Sequence, residues 1–178
     1  MISNFEDYSK ALFDLATEEN LTDNVLSDLT AIKEILKENS GFIALLDSPA
    51  VPSEERIEMV DDAFKGATYV TLNFIKLLTE MRQMSAFFKC ADGFCKMYDD
   101  VNGILRAEII TAVEISESHC DAICAKIAAT TGKKIVPTKK VDPSILGGVI
   151  LRYDGKQLDG SISSRLDGIK KQLADIVL

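Results

Sequence analysis

The chain lacks any apolar run near the roughly 18 residues that a membrane-spanning helix requires. Its densest hydrophobic stretch, Ile145 to Leu151, is interrupted by two glycines. It also lacks an excess of positive charge. A net charge of −8 and a pI near 4.7 argue against non-specific nucleic-acid binding, in which attraction to phosphates dominates. Glu6, Asp7 and Asp14 come early, so the start resembles neither a secretory signal nor a transit peptide, and any membrane association is expected to be peripheral.

Catalytic and metal-binding patterns are equally scarce. One histidine, His119, lies between Ser118 and Cys120 in no recognisable nucleophile–base arrangement. The cysteines at 90, 95, 120 and 124 form C-x4-C and C-x3-C, not the tight C-x2-C hook of zinc ribbons. They are read as buried, reduced thiols behaving as small hydrophobes. Gly147-Gly148 followed by Gly155-Lys156 fails the phosphate-loop spacing, which needs Gly, four residues, then Gly-Lys-Ser/Thr opening a helix. The lysine pairs at 133–134, 139–140 and 170–171 have no interleaved aromatics on which bases would stack. No catalytic residue, metal or cofactor is expected.

What is present is ordinary globular composition: 178 residues, 47% hydrophobic and 27% charged, enough for one domain or two small ones with a real core. To about Gly103 the pattern is helical. Ser3 with Glu6 forms a capping box, and the helix behind it carries Phe5, Tyr8, Leu12, Leu15 and Ala16 on one stripe, ending near Asn20. A second helix runs from Thr22 to about Asn39 with Val25, Leu29, Ile32 and Leu36 inward. Ser40-Gly41 is read as a break before a short apolar turn or helix from Phe42 to Leu46, and a fourth helix follows Pro52, reaching about Phe64. Tyr69 to Glu80 has Val70, Phe74, Leu77, Leu78 and Met81 on its main stripe, widened by Ile75. Such breadth fits either a central helix or contact on two sides. Ser85 to Val101 is the last helix of this half.

After Asn102-Gly103 the period changes. Ile104 to Ile115 reads as a strand, Glu117 to Thr131 as a helix stopped by Gly132, and Lys134 to Val141 as an edge strand blunted by Pro137 and lysines. Ile145 to Tyr153 reads as a strand that turns at Asp154-Gly155, a preferred tight-hairpin dipeptide, and returns through Lys156 to Leu158. Ser161 caps a final helix carrying Ile162, Leu166, Ile169, Leu173 and Ile176. The fold class is α+β, with a helical domain over 1–103 and a small α/β domain, containing a β-hairpin and terminal helix, over 104–178. Charge divides with it: the first part holds 19 acidic and 9 basic residues, net −10, and the second 9 and 11, net +2. Opposite leanings suggest different partners more than one shared site.

Three stretches resemble the delta subunit of F-type ATP synthase, the relative of the mitochondrial oligomycin-sensitivity-conferring protein. They are Tyr8-Ser9-Lys10-Ala11-Leu12-Phe13-Asp14-Leu15-Ala16; then Asn73-Phe74-Ile75-Lys76-Leu77-Leu78 with Arg82 and Gly103-Ile104-Leu105-Arg106-Ala107-Glu108. The most specific is Asp142-Pro143-Ser144-Ile145-Leu146-Gly147-Gly148-Val149-Ile150-Leu151-Arg152 followed by Asp159-Gly160-Ser161 and Arg165-Leu166. Ser9 stands where that family usually has alanine, and the Glu80-Met81-Arg82 stretch is shorter than usual.

The resemblance implies an N-terminal six-helix bundle, a smaller C-terminal domain and a non-catalytic role in the peripheral stalk. It implies that the bundle binds the N-terminal helix of an alpha subunit between its first and fifth helices, through Tyr8, Ala11, Leu12, Leu15, Phe74, Leu77 and Leu78. Ala11 would matter for its smallness. The C-terminal domain would hold the C-terminal ends of the b subunits, making membrane association indirect, on the cytoplasmic face of a bacterial plasma membrane. Gly147, Gly148, Asp159, Gly160, Ser161 and Arg165 match the family motif and suit turn, hairpin and cap roles; Arg152 and Arg165 alternatively pair with acidic partner groups. The rival readings are a helical adaptor unrelated to rotary enzymes and a small redox or metal enzyme built on the four thiols.

Overall fold

A computed structural model describes residues 5–153 and 155–166. They divide into two compact units, Met1–Tyr98 and Asp99–Leu178, and belong to the α+β class. The first unit contains α1 (Phe5–Glu18), α2 (Thr22–Glu38), α3 (Ser40–Leu46), α4 (Ser53–Ala63), α5 (Tyr69–Glu80) and α6 (Phe87–Val101), with a 3-10 turn at Met84–Ala86 leading into α6.

Local chemistry sets these boundaries. Asn20 takes φ 56, a left-handed conformation that asparagine tolerates. The Leu21 N–H then closes on the Ala16 carbonyl at 2.8 Å and ends α1. Val25, Leu29, Ile32 and Leu36 are the buried residues of α2, as the spacing requires. The expected break at Ser40-Gly41 is instead a kink at Asn39, whose side-chain amide donates to the Ile35 carbonyl at 2.9 Å. Ser40 and Gly41 open α3, so that helix begins before Phe42. α5 starts at Thr68, whose hydroxyl accepts from the Thr71 N–H, while the Thr68 N–H donates to Asp28 at 2.7 Å.

The core of this unit includes Leu29, Leu36, Leu46, Ile75, Leu78, Met84, Phe87 and Phe94. Phe13 meets Phe94 edge to face, centroids 5.4 Å apart. α1 and α6 approach closely because residue 93 is glycine: a Cβ there would lie 2.5 Å from Ser9 Oγ. That hydroxyl sits 2.8 Å from the Phe5 carbonyl and 3.1 Å from the Cys90 carbonyl, so the serine is buried and satisfied. Burial pushes the neighbouring Cys90 thiol pKa up, against a smaller opposing effect of Ser9.

The second unit contains β1 (Ile104–Thr111), α7 (Glu117–Thr131), β2 (Lys134–Val141), a 3-10 turn at Pro143–Ile145, β3 (Val149–Tyr153) and β4 (Lys156–Asp159). The strand expected from Ile145 begins only at Val149, because Ile145 closes the 3-10 turn and Gly148 takes a positive φ of +83. Residues 162–166 are helical. The sheet order is β2-β1-β3-β4. β1 and β2 pair in parallel, across the α7 crossover, whereas β3 pairs antiparallel with both β1 and β4. Along β1, Leu105, Ala107 and Ile109 are buried and Arg106 is exposed, the period-2 pattern of a sheet with unlike faces. β1 stops at Thr111, short of the expected Ile115, because the Thr111 hydroxyl donates to the Val113 carbonyl at 2.8 Å and the chain turns out of the sheet.

The contact division falls inside α6, between Tyr98 and Asp99. Arg106 Nε and Nη2 donate to the two Asp99 carboxylate oxygens at 2.7 and 3.0 Å, and Lys133 pairs with Asp100 at 3.5 Å. All of these residues belong to the second unit, so the last turn of α6 is tied within that unit to β1 and to the residue before β2. Ser3 of the expected capping box, Asp154 of the hairpin turn, and Ile169, Leu173 and Ile176 of the final helix lie outside the described residues.

Candidate functional site

In the first unit, two tyrosines link α1 to α5. The Tyr8 hydroxyl near the start of α1 donates to Met81 Sδ, just past the end of α5, at 3.6 Å. At the other end, Tyr69 opens α5 and donates to the Glu19 carboxylate just past α1, which with lesser help from desolvation holds its phenol pKa above the ordinary value. The two helices therefore run antiparallel.

The seven residues expected here separate by depth. Leu12, Phe74 and Leu78 are 4%, 7% and 1% exposed and belong to the core; they underlie the strip and do not form its surface. Tyr8 is half-buried and Ala11 is exposed, while Leu15 and Leu77 are 42% and 41% exposed. Met81 and Tyr69 extend the exposed apolar set. The α5 stripe read from the sequence is thus rotated. Its buried face includes Thr71, Ile75 and Thr79, and Leu77 and Met81 turn outward. The threonines are tolerated inside because their hydroxyls bond locally: Thr79 to the Ile75 carbonyl at 2.8 Å, Thr71 with Thr68 at 2.9 Å.

Sequence reasoning also missed Arg56, which is 2% exposed on α4. Its Nη1 donates to the Leu46 carbonyl at 2.9 Å and the Thr79 carbonyl at 2.5 Å, joining the ends of α3 and α5. Its Nε has no partner among the described residues. An arginine in a helical, polar-looking window gives no sequence signal of burial.

In the second unit the C-terminal motif is chiefly a scaffold. Gly148 has φ +83, and a Cβ there would lie 2.5 Å from the Gly160 carbonyl oxygen and 3.0 Å from Ser161 Cα. The Gly160 N–H donates to Val149 and the Ile162 N–H to Gly147, both at 3.0 Å. A Cβ on Gly147 would meet Ile162 Cδ1 at 2.8 Å. Asp159 accepts from the Ser161 N–H at 2.9 Å, and hydrogen bonds from the Ser161 hydroxyl and amide hold its carboxyl pKa down. Ser161, 2% exposed, accepts from the Ser164 N–H at 3.1 Å and caps residues 162–166.

Arg152 and Arg165 are exposed. Arg152 Nε donates to Gln157 at 2.8 Å, and its Nη1 lies 3.5 Å from Glu108. These groups, with Arg106, Thr138 and Lys156, line a charged cleft of about 530 Å³. Leu146, between the turn and the glycine pair, is 69% exposed with φ 60. Among the described residues no group of three or more His, Cys, Asp or Glu is placed to hold a metal, and no helix is long and apolar enough to cross a membrane.

Residues 5–173 match the family model described as the ATP synthase delta (OSCP) subunit. A relative from Leuconostoc mesenteroides, ATP synthase subunit delta, is 35% identical over 167 residues, covering 93% of each chain. Another of that name, from Azorhizobium caulinodans, is 31% identical over 171 residues, covering 95% of this chain and 92% of its own. A chain in the Toxoplasma gondii mitochondrial ATP synthase hexamer shares the fold, with TM-score 0.77 at 21% identity, over 97% of this chain and 98% of that one.

Proposed function

The chain belongs to the ATP synthase delta (OSCP) subunit family, and from that premise we propose that it is a non-catalytic peripheral-stalk subunit of an F-type ATP synthase. In this role it ties the catalytic head to the membrane sector and stops the head turning with the central shaft. α1 to α6 act as a six-helix bundle seated on the head, where the strip between α1 and α5 takes the N-terminal helix of an alpha subunit. The second unit holds the C-terminal ends of the b subunits. Membrane association is indirect, through the complex, on the cytoplasmic face of a bacterial plasma membrane.

The observation that carries the head contact is the exposed strip of Ala11, Leu15, Leu77 and Met81 between two antiparallel helices. An amphipathic helix laid on such a strip is anchored by side chains at helical spacing. Two contacts made by one chain also reinforce each other through effective concentration, which suits a part under sustained load.

The test uses the full chain. Tagged protein expressed in its source cells is expected to co-purify alpha and b subunits; an unrelated adaptor would bring down neither. Ala11→Asp, at an exposed helix position, is expected to leave thermal stability within about 0.5 kcal/mol. It should weaken binding of an alpha N-terminal peptide at least about tenfold, because the carboxylate would be covered by apolar surface without a partner. Unchanged affinity would remove the α1/α5 assignment.

A further inference from the structure

We propose that the helix seated between α1 and α5 is cationic along the flank that lies over α1, so that charge selects the guest as well as shape. The proposal rests on the reading of that strip as a helix-binding surface and names the chemistry of its occupant.

The strip has acidic margins. On α1, Asp14 lies three residues from Ala11, and Glu18 and Glu19 follow Leu15 by three and four, so all are surface neighbours of the exposed apolar side chains. On α5, Glu80 follows Leu77 by three. All four carboxylates are exposed. Glu19 is engaged by Tyr69; among the described residues Asp14, Glu18 and Glu80 take part in no ion pair. Cations on these helices and near their ends are Lys10 and Arg82, both exposed, Lys76, which is held by Asp61 at 2.6 Å, and Lys89, which stands 5.1 Å over the Phe5 ring at the start of α1.

This arrangement is unfavourable to the isolated helix on two counts. Asp14 and Glu18 repel each other at i,i+4. Glu18 and Glu19 stand at the negative end of the α1 dipole, and no basic residue lies in that last turn. A guest with lysine or arginine on its flanks relieves both, gains opposite charges around a dry centre, and is steered in by the long-range field. A guest with acidic flanks meets like charge along α1.

The experiment titrates the unaltered full chain with three synthetic helical peptides. One is the N-terminal segment of the alpha subunit from the same complex. The other two share one apolar stripe but carry all-lysine or all-glutamate flanks. At about 0.01 M salt the lysine peptide is expected to bind at least about tenfold tighter than the glutamate peptide. At about 1 M salt, where the screening length falls to about 3 Å, that preference should collapse. The alpha peptide should follow the lysine peptide, and Asp14→Lys/Glu18→Lys should reverse the ranking while circular dichroism stays unchanged. Alpha-peptide binding with equal affinities for the two synthetic peptides, or without salt dependence, would overturn the charge inference and leave the strip assignment standing. If no peptide bound, the strip assignment itself would fall.

Discussion

The Tyr8 hydroxyl reaches across from α1 to within 3.6 Å of the Met81 sulfur, so the edge of the α1/α5 strip is drawn together by a contact between a half-buried tyrosine and an exposed methionine. Thioether sulfur is a weak acceptor, and the bond should contribute less than about 1 kcal/mol. The ring, in contrast, supplies apolar surface beside Ala11. Tyr8→Phe is therefore expected to change unfolding free energy by under about 0.5 kcal/mol and alpha-peptide affinity by less than about twofold. Tyr8→Ala should weaken that affinity about tenfold. Calorimetric titration of both variants checks the split; a large loss in the phenylalanine variant would show that the hydroxyl matters.

Arg56 joins the carbonyl ends of α3 and α5 from inside the first unit. A cation is favourable at helix C-termini, and its removal leaves the Leu46 and Thr79 carbonyls short of a donor in a buried site. Arg56→Ala is expected to cost about 3 kcal/mol or more. Arg56→Lys, with a single charged donor group at the end of a flexible stem, should cost about 1–2 kcal/mol. Urea unfolding followed by far-UV circular dichroism measures both, and an alanine variant of parental stability would remove Arg56 from this role.

These two sites show where sequence reasoning reached and where it stopped. The bounds of α5 and the inward face of α2 follow from apolar spacing alone, and β2 is an edge strand because Pro137 and the lysines leave it little else. The hairpin and the Ser161 cap were legible because turn and cap chemistry is local. Depth around α5 was not. Threonine counts as polar until its hydroxyl is seen to bond one turn back, as Thr79 does, and only then do Leu77 and Met81 face outward. The β1 end at Thr111 and the burial of Arg56 depend on partners distant from any periodic signal.

The second unit should be acid-sensitive. Asp142 accepts from the Ser144 hydroxyl at 2.6 Å and its N–H at 3.0 Å, and those bonds hold its pKa down; Asp159 is held down by Ser161 in the same way. A carboxyl whose pKa is lower folded than unfolded contributes stability above the unfolded value, and that contribution is lost as pH falls through the folded one. Stability is therefore expected to be level above about pH 5 and to decline below about pH 4. Asp142→Asn/Asp159→Asn should be less stable than the parent at neutral pH, with the difference narrowing toward pH 3. Denaturation midpoints measured across pH test this, and a difference that grew on acidification would contradict the sign.

Gly148 and Gly155 both sit at positive φ, +83 and +69, yet they should respond differently to alanine. At Gly155 an added Cβ meets nothing within 4 Å, so Gly155→Ala carries only the left-handed backbone penalty, about 1–2 kcal/mol. At Gly148 the same atom would stand 2.5 Å from the Gly160 carbonyl oxygen, which belongs to the backbone and cannot swing aside. Accommodating it means parting the turn from β3, at the cost of the Gly160-to-Val149 and Ile162-to-Gly147 hydrogen bonds. Gly148→Ala should therefore lose more than about 3 kcal/mol. Because the seam carries residues 162–166 against the strand, the loss should appear in b-subunit binding and leave alpha-peptide affinity unchanged. Equal losses in the two alanine variants would mean that close approach of Gly148 to Gly160 is not what requires glycine there.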